Sequence, residues 1–319
     1  MMRSLYSGIS GLKNHQTRMD VIGNNIANVN TTGYKTSRVI FQDIFSQTVK
    51  GGMASNPGIG SGGTNPTQIG LGIKLSTIDV MHTPAPYART DNPFDMMVEG
   101  DGYFIVQSPN GGYYYTRAGN FKLDDEGYLT TSDGYFVMGY TGATPPVYVP
   151  GIPEDTATTP PTPAVPPTAT FSAIDYGSLQ RIRLRVDPPG PAPTPPAVAP
   201  PSVDLVGFSV ADDGSVTVIL DNEKVTIAKI SLAMFSNPSG LEKAGNSLYR
   251  STSSSGEMVD TPAIQNGSGK VAGGGLEMSN VDLATEFTDM IVTQRGFQAN
   301  SRIITVSDTL LEELVNLKR

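Results

Sequence analysis

DLATEFTDMIVTQRGFQANSRIITVSDTLLEELVN, residues 282–316, places Leu283, Phe287, Met290, Phe297, Ile304, Leu311 and Val315 at intervals of mostly three, four or seven. That rhythm is one face of an α-helix. A second apolar row, Ile291, Ile303, Leu310, Leu314 and Leu317, runs beside the first, and a helix with two such rows needs neighbours on two sides. The other end of the chain repeats the pattern. Leu5, Ile9, Leu12, Met19, Ile26 and Val29 predict a helix from about Ser4 to about Asn28, roughly 37 Å long at 1.5 Å per residue. Ser4 is suited to its N-cap, and the poor helix formers from Asn28 to Thr32, followed by Gly33, predict its end.

These rows define the expected assembly surface: Leu5, Ile9, Leu12, Met19 and Ile26 on the first helix, with Leu283, Phe287, Met290, Ile291, Phe297, Ile303, Ile304, Leu310, Leu311, Leu314 and Val315 on the last. One further row in each helix turns small or polar. It reads Ile9, Gln16, Gly23, Asn30 at one end and Phe287, Gln294, Ser301, Asp308 at the other. Polar seam positions can fix register; drift of a 3.6-residue helix off a seven-residue grid accounts for them equally well. Gly23 and Gly296 each cost about 1 kcal/mol relative to alanine in a helix, which suggests close helix approach. One other terminal helix covers only part of so much apolar surface, so the termini are expected to be mobile in a free subunit and to become helical on assembly.

About 250 residues separate the helices. Gly51 to Gly72, with Pro57 and Pro66, reads as a connector. From Ile73 short β-runs flank turn residues: Tyr103–Gln107 and Tyr113–Thr116 around Pro109-Asn110-Gly111, then Phe121–Leu123 and Tyr128–Thr130 around Asp124–Gly127. Tyr135–Tyr140 follows Asp133-Gly134, and Val206–Val210 and Val216–Leu220 flank Asp212-Asp213-Gly214. Such turns tolerate positive φ, so antiparallel hairpins are expected. Most of the 25 prolines lie between Pro145 and Pro201, where missing ladder donors argue for extended or loop-like chain. Between them Gln180–Val186 alternates Arg181, Arg183 and Arg185 with Ile182, Leu184 and Val186, as a half-buried strand with a solvated arginine face would.

The fold class is therefore mixed: terminal α-helices forming a coiled-coil-like assembly domain, with one or two mainly antiparallel β domains inserted between them. The expected boundaries are 1–30 and 282–319 for the helical domain, and 31–72 and 270–281 for connectors. Residues 73–144 and 202–269 form the inner β domain, and 145–201 an outer insertion.

A chain of 319 residues can build its core unaided. It has no cysteine and two histidines, His15 and His82, which excludes disulfides and leaves a Cys/His metal site poorly supplied. A net charge of -8 argues against a nucleic-acid partner, whose phosphates are neutralised by lysine and arginine. Charged residues are 16% of the chain, against about 25% in an average domain. That suits a molecule packed against its own copies, and equally an extracellular β-rich protein. No apolar run approaches the roughly 20 residues that cross a bilayer, so membrane insertion is not expected. Residues 1–16 lack the apolar core of a signal peptide, with Ser7, Gly8, Ser10, Gly11 and Lys13 interrupting them. Export without a cleaved Sec signal is expected.

Catalytic patterns fail on context. Gly58, Gly60 and Gly63 fit G-x-G-x-x-G without a strand before or a helix after. Asp124, Asp125 and Glu126 lack calcium-loop spacing and fit a β-turn, and Asp95, Glu99 and Asp101 have no cleft signature. No catalytic, cofactor or metal residue is assigned, and the chain is not expected to be an enzyme.

Ser4-Leu5-Tyr6-Ser7-Gly8-Ile9-Ser10-Gly11-Leu12, Asp20-Val21-Ile22-Gly23-Asn24-Asn25-Ile26-Ala27-Asn28 and Gly33-Tyr34-Lys35 closely resemble the N-terminal signature of bacterial flagellar rod and hook proteins. Leu276-Glu277-Met278-Ser279-Asn280-Val281-Asp282-Leu283 and Gln294-Arg295-Gly296-Phe297-Gln298-Ala299-Asn300 resemble that family's C-terminal signature. Glu99–Phe104, Tyr115–Phe121 and Phe235–Glu242 resemble its β domain, so the likeness covers most of 1–140 and 205–319. It implies subunits stacked into a hollow helical tube, terminal helices lining the channel. Within the family, the segment from about Thr141 to Asp204 points to the hook, a flexible universal joint passing torque from rod to filament. The distal rod is the alternative, and a secreted carbohydrate-binding β protein a remote one. The resemblance further implies self-association, contact with distal rod, hook-cap and hook–filament junction proteins, passage through the flagellar type III export apparatus, and a place in the extracellular flagellum.

Overall fold

The computed structural model describes residues 2–54, 62–141, 147–149, 168–170, 178–184, 207–220, 223–265 and 267–317. The chain divides into two compact units. One comprises residues 1–30, 35–82 and 280–319, and the other 31–34 and 83–279.

The first unit carries both terminal helices, α1 (Met2–Ala27) and α2 (Leu283–Asn316). Helix α1 begins two residues before the expected Ser4, so that serine is not its N-cap. The end falls where expected, because Asn28, Asn30 and Thr31 favour turns over helix. At the start of α2, the Asp282 carboxylate accepts the Ala284 N–H at 3.0 Å and the Thr285 hydroxyl at 2.8 Å. This satisfies a donor that the first helical turn leaves free. Strand Ser37–Asp43 pairs antiparallel with Ile73–Val80, with a register shift between Ile40 and Phe41. Beyond it Ser46–Lys50 pairs with Thr67–Gly70. Residues expected as a connector thus form a β-arm. The strand from Ile73, expected in the β domain, belongs to the helical unit. Of the Gly58/Gly60/Gly63 motif, the first two glycines lie outside the described residues.

The second unit is built mainly on one antiparallel sheet, with short two-stranded sheets beside it in the topology. Its main path runs Gly207–Val210, Ser215–Leu220, Glu223–Met234, Phe136–Thr141, Tyr103–Gln107, Tyr113–Thr116, Leu248–Arg250 and Glu242–Gly245. Each expected hairpin is present, turning at Gly111, Gly127, Gly134 and Gly214 with φ between 76° and 86°. Asp124, Asp125 and Glu126 occupy one of those turns, closed by the Gly127 N–H to the Asp124 carbonyl. Strand Tyr103–Gln107 is covered on both faces. Phe104 and Val106 enter a core with Phe121, Leu129, Ile230 and Leu232, while Tyr103 and Ile105 enter a second with Tyr115, Phe235 and Tyr249. This explains its unbroken apolar run.

Ile182 and Leu184 are fully buried in the first core, as the alternation of Gln180–Val186 required. Arg181 lies over the Phe136 ring at 4.3 Å and Arg183 over Tyr128 at 5.6 Å, so the arginines serve as half-stacked lids rather than merely solvated charges. Within the proline-rich 145–201, only Val147–Val149, paired with Thr168–Thr170, and residues 178–184 are described; Arg185 and Val186 lie outside the described residues.

Candidate assembly interface

Helices α1 and α2 pair antiparallel within the first unit. The order of contacts fixes the direction: Gly8 faces Ile304, Gly11 faces Asn300, His15 faces Gly296, Arg18 meets Asp289 and Asn25 meets Glu286. On α2 the covered or half-covered side is Glu286, Met290, Thr293, Phe297, Asn300, Ile304, Ser307 and Leu311. These alternate by four and three, a heptad seam in which large apolar residues take turns with polar or small ones.

The seam closes tightly because glycine meets bulk across it. A Cβ at Gly11 would collide with the Asn300 amide, one at Gly8 would touch Ile304 Cγ1 at 3.4 Å, and one at Gly296 would meet the His15 ring at 2.9 Å. The close approach expected at Gly296 is present. At Gly23 it is not, since nothing lies within 4 Å of that position. Gly8 and Gly11 were missed because their spacing was read as an interruption of hydrophobicity rather than as a notch for another backbone.

The small-or-polar row lies outside the seam between α1 and α2. Ile9, Gln16, Gly23, Asn30, Phe287, Gln294, Ser301 and Asp308 are all exposed. The polar positions of the seam are Glu286, Thr293, Asn300 and Ser307, one residue earlier along α2. A one-residue phase error amounts to 100° on a helix, and large apolar residues on both sides of α2 hid the true phase. Thr293 and Ser307 are buried, their hydroxyls donating to the carbonyls of Asp289 and Ile303 at 2.6 and 2.8 Å. They therefore sit in the seam without an unmet polar group.

Two asparagines bind α1 to the strands beside it. Asn25, 1% exposed, donates to the Ser37 carbonyl at 2.9 Å and accepts the Ser37 N–H at 3.1 Å, as a neighbouring strand would. It also donates to Glu286 Oε1 at 3.0 Å. Asn14 donates to the Ile73 carbonyl at 2.8 Å, and Asn280 joins Thr36 to Met81 from the approach to α2. Burial pushes the Glu286 carboxyl above its ordinary range; the Asn25 bond opposes this and nearby Asp289 adds to it. Burial lowers His15, and Arg18 lowers it further.

The remaining expected residues fall into two groups. Leu5, Leu12, Met19, Ile26, Met290, Phe297, Ile304 and Leu311 are half-buried. Ile9, Leu283, Phe287, Ile291, Ile303, Leu310, Leu314 and Val315 are exposed, with Ile291 at 51%, Leu314 at 50% and Val315 at 67%. Val292 and Val306, each 57% exposed, join that outer row and were not singled out from sequence. In the structure both helices are formed and paired. Their inner faces are met within the chain and the outer row of α2 is not. No helix among the described residues is long and apolar enough to cross a membrane.

The two chain ends meet as an antiparallel helix pair, and the β strands lie between them in sequence. Residues 5–35 match the family model described as flagella basal body rod protein, 97–218 that of the flagellar hook protein FlgE/F/G D1 domain, and 272–317 that of the flagellar basal body rod FlgEFG protein C-terminal. The chain is 44% identical to the flagellar basal-body rod protein FlgG of Bacillus subtilis over 323 aligned positions, all of both chains being covered. It is 32% identical to the flagellar hook protein FlgE of Borreliella burgdorferi over 444 positions, again covering both in full, and 30% identical to FlgG of Caulobacter vibrioides, with 99% of this chain covered. The chain belongs to the flagellar rod and hook family of axial proteins.

Proposed function

We propose that the chain is a structural subunit that polymerises through its terminal helices into a hollow flagellar tube, and that this tube is the hook. The observation that carries the reading is the outer row of α2. A helix already paired along one face keeps Ile291, Val306, Leu310 and Leu314 about half exposed, and burying the remaining half of such side chains returns up to about 1.5 kcal/mol each. A second copy is the surface present in matching amount. Contacts with distal rod, hook-cap and junction proteins, and export through the type III apparatus to the cell exterior, belong to the same proposal.

The hook is supported by the long segment 141–204 and by hook relatives that cover the whole chain. The distal rod is a second reading, and alignment length favours it. The alignment to the Bacillus subtilis rod protein exceeds this chain by 323 − 319 = 4 positions, that to the Borreliella hook protein by 444 − 319 = 125. Electron microscopy of the concentrated protein separates the two. Curved, bendable tubes are expected for the hook, and straight rigid ones would assign it to the rod. A protein that stays monomeric at every concentration would remove both.

A further inference from the structure

We infer that Glu277 fastens together, inside the β unit, the segments by which the chain enters and leaves that unit, so that load carried by one segment is shared by all. The β unit comprises residues 31–34 and 83–279, and its chain exits therefore lie in 31–34, at 83 and at 279. Glu277 is fully buried. Its backbone carbonyl accepts the Gly33 N–H at 2.8 Å, from the first segment. Its Oε1 accepts the Ala85 N–H at 3.2 Å, from the second. Glu277 itself lies on the third, where the next residue, Met278, donates to the Pro86 carbonyl at 3.0 Å.

The fastening is anchored in the sheet by Arg117. Its Nη1 stands 3.5 Å from Glu277 Oε2, and its guanidinium donates to the carbonyls of Val98 at 3.2 Å and Gly100 at 2.9 Å. It also lies 5.0 Å from the Tyr103 ring centroid. Gly33 is seated against the same residue: its φ is +67°, and a Cβ there would come within 2.7 Å of the Arg117 carbonyl carbon. A buried carboxylate is tolerated only while paired and hydrogen-bonded, and its bonds reinforce one another in a low-dielectric site. Displacing any one segment strips Glu277 of a partner, so the three are held as one. The four stretches that join here, around Gly33, Ala85, Arg117 and Glu277, come from separate parts of the sequence.

The mechanical consequence rests on the axial-tube reading; the fastening does not. Amide hydrogen exchange on the full-length chain tests the fastening. In the wild type Gly33, Ala85 and Met278 should exchange with one common protection factor, and unequal protection would overturn the inference. In E277Q, which presents an amide N–H₂ to Arg117 while keeping an acceptor for Ala85, all three should exchange at least tenfold faster, with Ile230 in the main sheet unchanged. Acceleration at Ala85 alone, or none, would overturn it. Should E277Q fail to fold, R117K is measured in its place with the same expectation. Tubes of the variant should bend more readily in electron micrographs, and unchanged stiffness alongside faster exchange would overturn the load sharing. If the wild type forms no tubes, the axial reading and the load sharing fall, and the exchange data judge the fastening alone.

Discussion

The helix pair and the β unit bury opposite kinds of surface. In the β unit the core is aromatic and aliphatic, and Phe104, Ile105, Leu129, Ile230 and Leu232 are wholly shielded. In the helix pair the most buried positions include Asn14, Asn25, Thr293 and Ser307, with Ile22 the one large apolar side chain on either helix below a tenth exposed among the described residues. The β unit is finished as a single chain. The helix pair is held in register by amides, hydroxyls and glycine notches between half-buried apolar residues such as Met290, Phe297 and Ile304, and a further set of large apolar groups on α2 is exposed.

That contrast predicts where a substitution will be felt. The largest effect on the single chain is expected for Phe104→Ala, which should lower β-unit stability by about 3–5 kcal/mol in urea unfolding. A cost below 1 kcal/mol would mean that the two-sided core is not the stabilising element. Ile304→Asp places a carboxylate against Gly8 in the seam and should cost the helix pair about 1–3 kcal/mol. Tubes should disappear from sedimentation while the β-unit unfolding midpoint stays put; normal tubes would refute the seam.

The glycines sharpen the comparison within the helices. Gly11→Val drives a branched side chain into Asn300 and should destabilise the pair by about 1–3 kcal/mol. Gly23→Ala, in open space, should add up to about 1 kcal/mol of helix stability, measured by thermal loss of the helical circular-dichroism signal. Equal effects from the two would show that Gly11 is not a contact point.

The smallest effect expected is with pH. Folding holds the His15 imidazole below its ordinary value of 6.5, so as pH falls through 6.5 the unfolded chain takes up a proton that the folded one refuses. Helix-pair stability should therefore decline on acidification below that point. Glu286 is shifted upward from 4.5, so its contribution is full below 4.5 and is lost as pH rises through the folded value. Helical signal followed from pH 8 to 5.5 should drop in the wild type and drop less in His15→Gln.

Much of the β unit was legible because its signals are local. Asn110-Gly111 and Asp133-Gly134 demand a turn wherever they stand, and Ile182 and Leu184 declare a buried face by alternation alone. The helices were legible in existence and length, since periodicity survives any docking. Their phase was not. Apolar residues on more than one side of α2 leave the choice of inner face to the partner, and Gly8 and Gly11 acquire meaning only when Ile304 and Asn300 are brought opposite. The β-arm at Ser46–Gly70 was hidden because its exposed strands carry no burial alternation.

The sequence by itself determined the two terminal helices, the antiparallel hairpins between them and the membership of the axial family, because helical periodicity, turn chemistry and long signature motifs each act over neighbouring residues. Only the tertiary structure decided which face of α2 is met within the chain, and that Gly33, Arg117 and Glu277 share one buried site. Those outcomes depend on residues more than 80 positions apart, whose mutual burial and hydrogen bonding leave no trace in local composition.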